Sequence, residues 1–379
     1  GNTNGSFNSA VGDSIYIQDA QLESSLVATP YIETGASTAQ AGILENTPRL
    51  DYSGGATCPS LLLEPSRTNL IEQSEYFNSS YWIKSGSPTV SVSDNAGISP
   101  EGVSNATRFV AASAQQSTRL YTSVTWTAVP YTLSLYVKNN GGTNTNLRFS
   151  YYDSTGQYFS PTFTLTDEWQ RIEYTFTPTA SSGGFWIVNT PTGGLNLDLL
   201  AFAAQLEVGS YPTSYIPTYG VSQTRALDIC NSSENSVLFN KTEGVLFLES
   251  SALAEGDDKR ISLSDGTMSN YVSIGYSRFS GNIVAEMVSG GVSQQPNWGA
   301  TGVTQTDNNK FALSWGSGTM KFYVNGVQTL TESVTSPVGL DILRFSAGDS
   351  SLRFNGETKQ VIVFPTALTD SECIALTTI

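Results

Sequence analysis

Tyr131-Thr-Leu-Ser-Leu-Tyr-Val-Lys138 and Arg171-Ile-Glu-Tyr-Thr-Phe176 alternate apolar with polar side chains. In the first, Leu133, Leu135 and Val137 fall on one side, Ser134 and Tyr136 on the other. In the second, Ile172, Tyr174 and Phe176 alternate with Arg171, Glu173 and Thr175. Successive side chains of a strand point to opposite faces of its sheet, so this spacing marks strands with one buried face. Phe163 and Leu165 alternate with Thr162 and Thr164 in the same way. Turn signals separate the runs: Asn139-Asn-Gly-Gly142, Asp153-Ser-Thr-Gly156 and Ser182-Gly-Gly184. Short strands so spaced predict a β-sandwich or jelly roll over residues 73–218.

Residues 241–379 repeat the pattern. Strands are expected at Gly244–Glu249, Arg260–Leu263, Tyr271–Tyr276, Asn282–Val288, Lys310–Trp315 and Met320–Leu330. The last holds Asn325-Gly326, the favoured pair for a type I′ hairpin because both central positions need positive φ. Only the C-terminus reads as helical, from Ser371 to Leu376, with Thr369-Asp370 as the cap. The class is therefore all-β.

A repeat sets the remaining boundaries. Ala20-Gln-Leu-Glu23 recurs as Ala204-Gln-Leu-Glu207, and Thr29, Tyr31, Ile32 and Thr34 match Thr213, Tyr215, Ile216 and Thr218 at the same offset. The second copy ends a strand-rich region; the first has almost nothing before it. Residues 1–34 are thus expected to be the terminal strand of an upstream jelly roll, truncated or exchanged between copies. Thr47-Pro-Arg-Leu-Asp-Tyr52 echoes Thr224-Arg-Ala-Leu-Asp-Ile229, and Cys58 and Cys230 follow. Gly, Ser and Asn are frequent there, so 35–72 and 219–240 read as linkers.

Composition excludes several functions. Of 379 residues only 13% are charged, against roughly 25% in an average domain. The solvent face must be Ser, Thr, Asn, Gln and Gly, which suits a secreted or particle-bound β protein. The net charge is −15, and no Lys/Arg cluster offers phosphate contacts, so nucleic acid and anionic membranes are disfavoured. No apolar run has the length of a membrane-spanning helix, so no membrane insertion is expected. Histidine is absent, which removes the commonest general base and the usual zinc sites. The three cysteines have no metal-ligand spacing, and at most one disulfide could form among them.

Two stretches resemble known families. Pro48-Arg-Leu-Asp-Tyr52, Leu61-Leu-Leu-Glu-Pro-Ser-Arg-Thr-Asn-Leu70 and Ser74-Glu-Tyr-Phe77 look like a linker recurrent in bacteriophage tail fibre and spike proteins. Gln205–Thr218 is similar to the strand and exit that close a carbohydrate-binding-module-like jelly roll in those proteins. Lys310–Trp315, Lys321-Phe-Tyr-Val-Asn-Gly326, Phe354-Asn-Gly-Glu-Thr-Lys359 and Phe364-Pro-Thr-Ala-Leu-Thr-Asp-Ser-Glu372 resemble the concanavalin A-like, laminin-G-like family. The resemblance implies a jelly-roll β-sandwich followed by a concanavalin A-like β-sandwich. Function is implied with it: a virion protein, a tail fibre or spike segment, displaying non-catalytic glycan-binding domains for host recognition. Its partners would be a host-surface glycan or polysaccharide, other virion proteins and copies of itself, as a trimer, at the virion surface or outside the cell. A secreted adhesin, or the non-catalytic part of a polysaccharide-degrading enzyme, is the alternative.

Sugar sites use exposed aromatic faces for stacking. Tyr151, Tyr152, Tyr158 and Trp186 are the candidates in the first sandwich, and Tyr271, Tyr276 and Trp298 in the second. Trp169, Trp315 and Phe322 read as core. Glu64, Arg67 and Asn69 read as structural, a charged pair and an Asn-mediated turn that fix one domain against the next. Paired strand carboxylates of the glycosidase kind do not occur, so no catalysis is expected. Glu255, Asp257 and Asp258 form the closest acidic cluster, in a polar loop. Calcium is the ion such oxygen ligands would suit, but the spacing demands none and no cofactor is required.

Overall fold

The computed structural model describes residues 20–22, 48–52, 57–115, 117–191, 193–230, 233–234, 239–240, 242–294 and 302–379. The terminal strand expected within residues 1–34 falls almost wholly outside them, as does Trp298. Of that strand only Ala20–Leu22 are described, without regular structure and exposed.

The chain is all-β, with one short helix among the described residues. In the first sandwich, one antiparallel sheet runs Gly156–Phe159, Ser150–Asp153, Ser182–Asn189, Arg119–Thr125, Ile83–Ser85. The facing sheet runs Gln170–Phe176, Tyr131–Asn139, Leu195–Val208, Ala106–Ala114, Ser91–Gly97. The alternation seen in the sequence is what closes them. Leu133, Leu135, Val137, Ile172 and Phe176 point inward and meet Leu120, Tyr151, Phe185 and Ile187 in one buried cluster. Trp126 sits in that core with its indole N–H donating to the Tyr152 carbonyl at 2.8 Å. Trp169 departs from the sequence reading. It is half-buried, its N–H donating to Ile98 O at 3.2 Å and Lys138 Nζ 5.8 Å from its ring, because it lies in the turn before Gln170–Phe176 and outside the alternation.

The second sandwich packs a seven-stranded sheet on a six-stranded one. Leu246, Leu248, Ile261, Val272, Ile274, Phe311, Leu313, Trp315 and Phe322 fill the space between them. Asn325 and Gly326 have φ of 47° and 81°, as the type I′ hairpin between Thr319–Val324 and Val327–Ser333 requires. The helix spans Asp370–Thr377, with Thr369 and Glu372 forming a capping box. It covers Val245, Phe247, Ala312 and Tyr323 on the outer side of the seven-stranded sheet.

The stretch read as a linker is partly sheet. Ser60–Leu63 pairs with the last strand, Leu61 against Thr358 and Leu63 against Gly356, and Leu63 joins the second core. Arg67–Asn69 pairs with Gln223–Arg225. Between these two pairings lies a buried clasp. Glu64 receives the guanidinium groups of both Arg49 and Arg225, the latter at 2.7 Å, and the Ser214 N–H at 2.8 Å. Arg49 also reaches Asp228 at 2.5 Å. Glu64 is thus the acidic partner expected from sequence, but its cations are Arg49 and Arg225. Arg67 instead lies 5.3 Å from the Tyr211 ring. Asn69 donates to Ala204 O and Ile216 O and accepts from the Ile71 and Leu206 N–H groups, which uses its whole amide. Its role in the junction is structural, as read. Cys58, Cys230 and Cys373 are free thiols.

Candidate functional site

The outer face of the first sandwich's Tyr121-bearing sheet is built by register. Tyr151, Phe185 and Leu120 point into the core, so their neighbours point out. Pairing sets Phe159, Ser150, Trp186, Tyr121 and Ile83 opposite one another across all five strands. Tyr152 stands in the next row, against Gln157 and Gly184. A Cβ on Gly184 would lie 2.6 Å from the Tyr152 ring, so glycine leaves room for that ring to lean over the strand. The Tyr152 and Trp186 centroids are 5.1 Å apart, and Trp186 and Tyr121 5.9 Å. The result is an aromatic platform, a run of Tyr152, Trp186 and Tyr121 with Phe159 set apart from it by Ser150. Tyr121 and Tyr152 are half-buried, Phe159 and Ile83 exposed, and Trp186 lies lowest at 5% exposure.

Two arginines flank the platform. Asn189 faces Arg119 in the ladder, and the Arg148 backbone N–H donates to Asn189 O at 2.9 Å on the other side. Arg148 therefore stands two strands from Arg119, about 10 Å away at normal strand spacing. Each is held in the same manner. The Arg148 guanidinium lies 3.8 Å from the Phe159 centroid, and its Nε–H donates to Asn189 Oδ1 at 3.1 Å. Arg119 lies 5.4 Å from the Trp186 centroid, and its Nε–H donates to Ser117 O at 3.2 Å. Aromatic faces attract cations, so each ring is a seat for its arginine. Among the described residues neither arginine has a carboxylate partner, although Arg49, Arg108, Arg225 and Arg260 all do. Burial, unopposed by any acid, holds the Arg148 pKa below its usual value. No Asp or Glu occupies an outward position of these strands.

The sequence candidates divide. Tyr152 and Trp186 belong to the platform. Tyr151 is on the inner face, stacked on Phe176 at 4.2 Å and on Tyr158 at 5.0 Å, so its ring faces are spent on the core. Tyr158 closes that stack at the sheet edge, 40% exposed, with its hydroxyl 2.9 Å from Thr155 Oγ1. It is accessible but on the other face. Tyr271 and Tyr276 are buried, and a ring without a free face cannot stack on a sugar, so both leave the candidate set. Tyr276 donates to Ser250 O at 2.8 Å, and burial pushes its pKa, like that of Tyr271, well up. Tyr121, Phe159, Arg119 and Arg148 were not identified from sequence. Their alternation was visible, but which strands lie side by side was not.

The acidic cluster does not gather. Glu255 accepts from Ser280 Oγ at 2.8 Å and from the Gly281 and Gln305 N–H groups at 3.0 and 2.5 Å. Burial alone would raise its pKa; these hydrogen bonds outweigh it and hold the carboxyl below its usual range. Asp257 instead approaches Lys259, and Asp258 approaches Arg260, each at 3.5 Å. The carboxylates thus fasten three different neighbours, which corrects the calcium reading. No group of three His, Cys, Asp or Glu suited to a metal occurs among the described residues.

No family model matches the chain, and no curated protein does. Among solved structures, the chain is similar to the CBM40 of the Ruminococcus gnavus IT-sialidase, at 17% identity over 39% of this chain and 97% of that one, with a TM-score of 0.33. It is also similar to the CBM22-1–CBM22-2 tandem of Paenibacillus barcinonensis Xyn10C, at 12% identity over 82% and 93%, TM-score 0.32. A third likeness is to domains LG4-5 of the mouse laminin alpha1 chain, at 10% identity over 66% and 90%, TM-score 0.26. None of the three is close enough to carry a role or a residue across to this chain.

Proposed function

We propose that the chain is a non-catalytic glycan-binding protein that works outside the cell, and that it binds through the accessible rings of Tyr121, Tyr152 and Phe159, with Trp186 as the buried support beneath them. The observation that carries this reading is the cross-strand aromatic row on an outer sheet face. Rings in that setting give apolar area for the faces of a sugar, while Gln157, Ser123 and the two arginines supply donors for its hydroxyls. The linker resemblance adds the setting: a fibre or spike segment at a virion surface, in contact with other virion proteins and with copies of itself in a trimer. Residues 73–218 are the binding unit in this reading, and 241–379 the unit that carries it. A secreted adhesin would use the same platform, and the two differ in what precedes the chain rather than in this site.

The test is a glycan array with the full chain and with its Tyr152→Ala and Tyr121→Ala variants. Binding to a defined set of glycans, weakened about tenfold or more in either variant, is expected from losing one stacking face. An array without signal, or one whose signals ignore both substitutions, rejects the platform. Reducing-end release from the glycans that bind should stay at background.

A further inference from the structure

We infer that the platform selects acidic glycans, with Arg119 and Arg148 each taking a sugar carboxylate. This rests on the glycan-binding reading and narrows it to a class of ligand. Both arginines use Nε–H on the protein and lie over a ring, while neither Nη1 nor Nη2 of either makes a hydrogen bond among the described residues. That leaves the outward end of each guanidinium free. A guanidinium held by its Nε and by an aromatic seat has already lost most of its freedom, so its remaining donors form a prepared fork for a planar anion.

Charge argues the same way. In a chain of 33 acidic and 18 basic residues, the described cations paired with a carboxylate are Arg49, Arg108, Arg225, Lys259, Arg260 and Lys321, and Arg119 and Arg148 are not among them. The nearest comparison is Arg108 in the facing sheet of the same sandwich, which is closed by Asp198 through two hydrogen bonds. Among the described residues the platform holds two unpaired cations and no carboxylate. At physiological salt the screening length is about 8 Å, so a bound carboxylate senses these two arginines more than the distant excess of negative charge. Their backbones stand about 10 Å apart across two strands, which places the pair to meet carboxylates on different sugars of one chain, with the half-buried Tyr121 and Tyr152 further along the same face as stacking surfaces.

The experiment measures binding of sodium polygalacturonate, sodium alginate and hyaluronan to the full chain, each beside its carboxyl-reduced counterpart. Acidic forms should bind at least about tenfold more tightly than the reduced forms, and their affinity should fall as sodium chloride is raised. Arg119→Gln/Arg148→Gln should erase the difference. Arg119→Lys/Arg148→Lys keeps charge but not the fork, and should recover only part of it. Arg278→Gln is the control: Arg278 also lies over a ring, Phe279 at 5.0 Å, but away from the platform, and its loss should change nothing. Thermal midpoints establish that the variants fold, and the Lys pair keeps the side-chain stems over the rings should the Gln pair fail. Equal binding of acidic and reduced forms, weakened by Tyr152→Ala, overturns the acidic inference and leaves the glycan reading standing. Binding of neither form, with a blank array, overturns both.

Discussion

On the first sandwich, Arg119 and Arg148 lie over Trp186 and Phe159 with their outer nitrogens unengaged. On the second, Arg260 and Tyr271 also point outward from a sheet, on strands paired side by side, yet both are buried. Arg260 turns its guanidinium onto the Lys259 and Tyr276 carbonyls, at 3.1 and 2.7 Å. What differs is the cover. Residues 346–352 cross that face, Ser346 O accepting from Ser262 Oγ at 2.8 Å and Leu352 O from the Arg260 N–H at 3.0 Å. Gly348 approaches so closely that a Cβ there would lie 2.1 Å from Thr267 O. The same residue types make a surface where nothing crosses the sheet, and an interior where a loop does.

Both sandwiches depend on the connector, and the largest expected effect lies there. Glu64→Ala leaves the Arg49 and Arg225 guanidinium groups beside each other with Asp228 and Glu207 as acidic neighbours. Breaking a buried ion pair from one side costs about 3–5 kcal/mol, and chemical denaturation should show a loss of that size. A loss below about 1 kcal/mol, the value of an exposed pair, would mean that the clasp is solvated and that the two sandwiches do not lean on it.

Next in size are the arginines of the two faces. Arg260→Gln removes a buried cation bonded to two carbonyls and should cost about 3 kcal/mol while leaving glycan binding intact. Arg119→Gln should do the reverse, changing stability by less than about 1 kcal/mol and weakening binding. If the two variants cost the same stability, cover is not what separates the faces.

How far the sequence reached follows the same physics. Alternation is local, so the strands, the Asn325-Gly326 hairpin and the capped C-terminal helix were legible, as was the structural role of Glu64 and Asn69. Burial of a ring was not. Tyr152 and Tyr276 look equivalent in sequence, but one shares a face with Trp186 and the other points between two sheets. Register decides that, and register joins residues far apart in the chain, as with Ser150 and Trp186 or Leu61 and Thr358. The pairing of Arg49 and Arg225 with Glu64 was hidden for the same reason.

The smallest expected effect is a difference in acid sensitivity between the sandwiches. In the second, hydrogen bonds outweigh burial and lower the pKa of Glu255 and Asp265. Ser351 lowers that of Asp349, Lys321 and then Tyr323 that of Asp370, and Thr369 of the capping box that of Glu372. In the first, Thr155 lowers Asp153 and Arg108 lowers Asp198, but burial raises Glu75 despite the hydroxyls of Tyr215 and Tyr219. A carboxyl with a lowered pKa in the folded state stabilises above its unfolded value, near 4, and that stability is lost as pH falls through the folded value. Glu75 has the opposite sign: its ionised form is disfavoured by folding, so acid relieves a cost there. Glu357, raised by burial and then by Asp51, does the same in the second sandwich but stands against five groups rather than two. Lowering the pH from about 5 to about 3 should therefore loosen the second sandwich more than the first. Hydrogen exchange, corrected for intrinsic rates, would show amides of Tyr271–Tyr276 and Asn309–Gly316 losing protection before those of Tyr131–Asn139. Equal loss in both, or earlier loss in Tyr131–Asn139, would mean that these hydrogen-bonded carboxyls do not set acid stability and that the buried Glu75 cluster does.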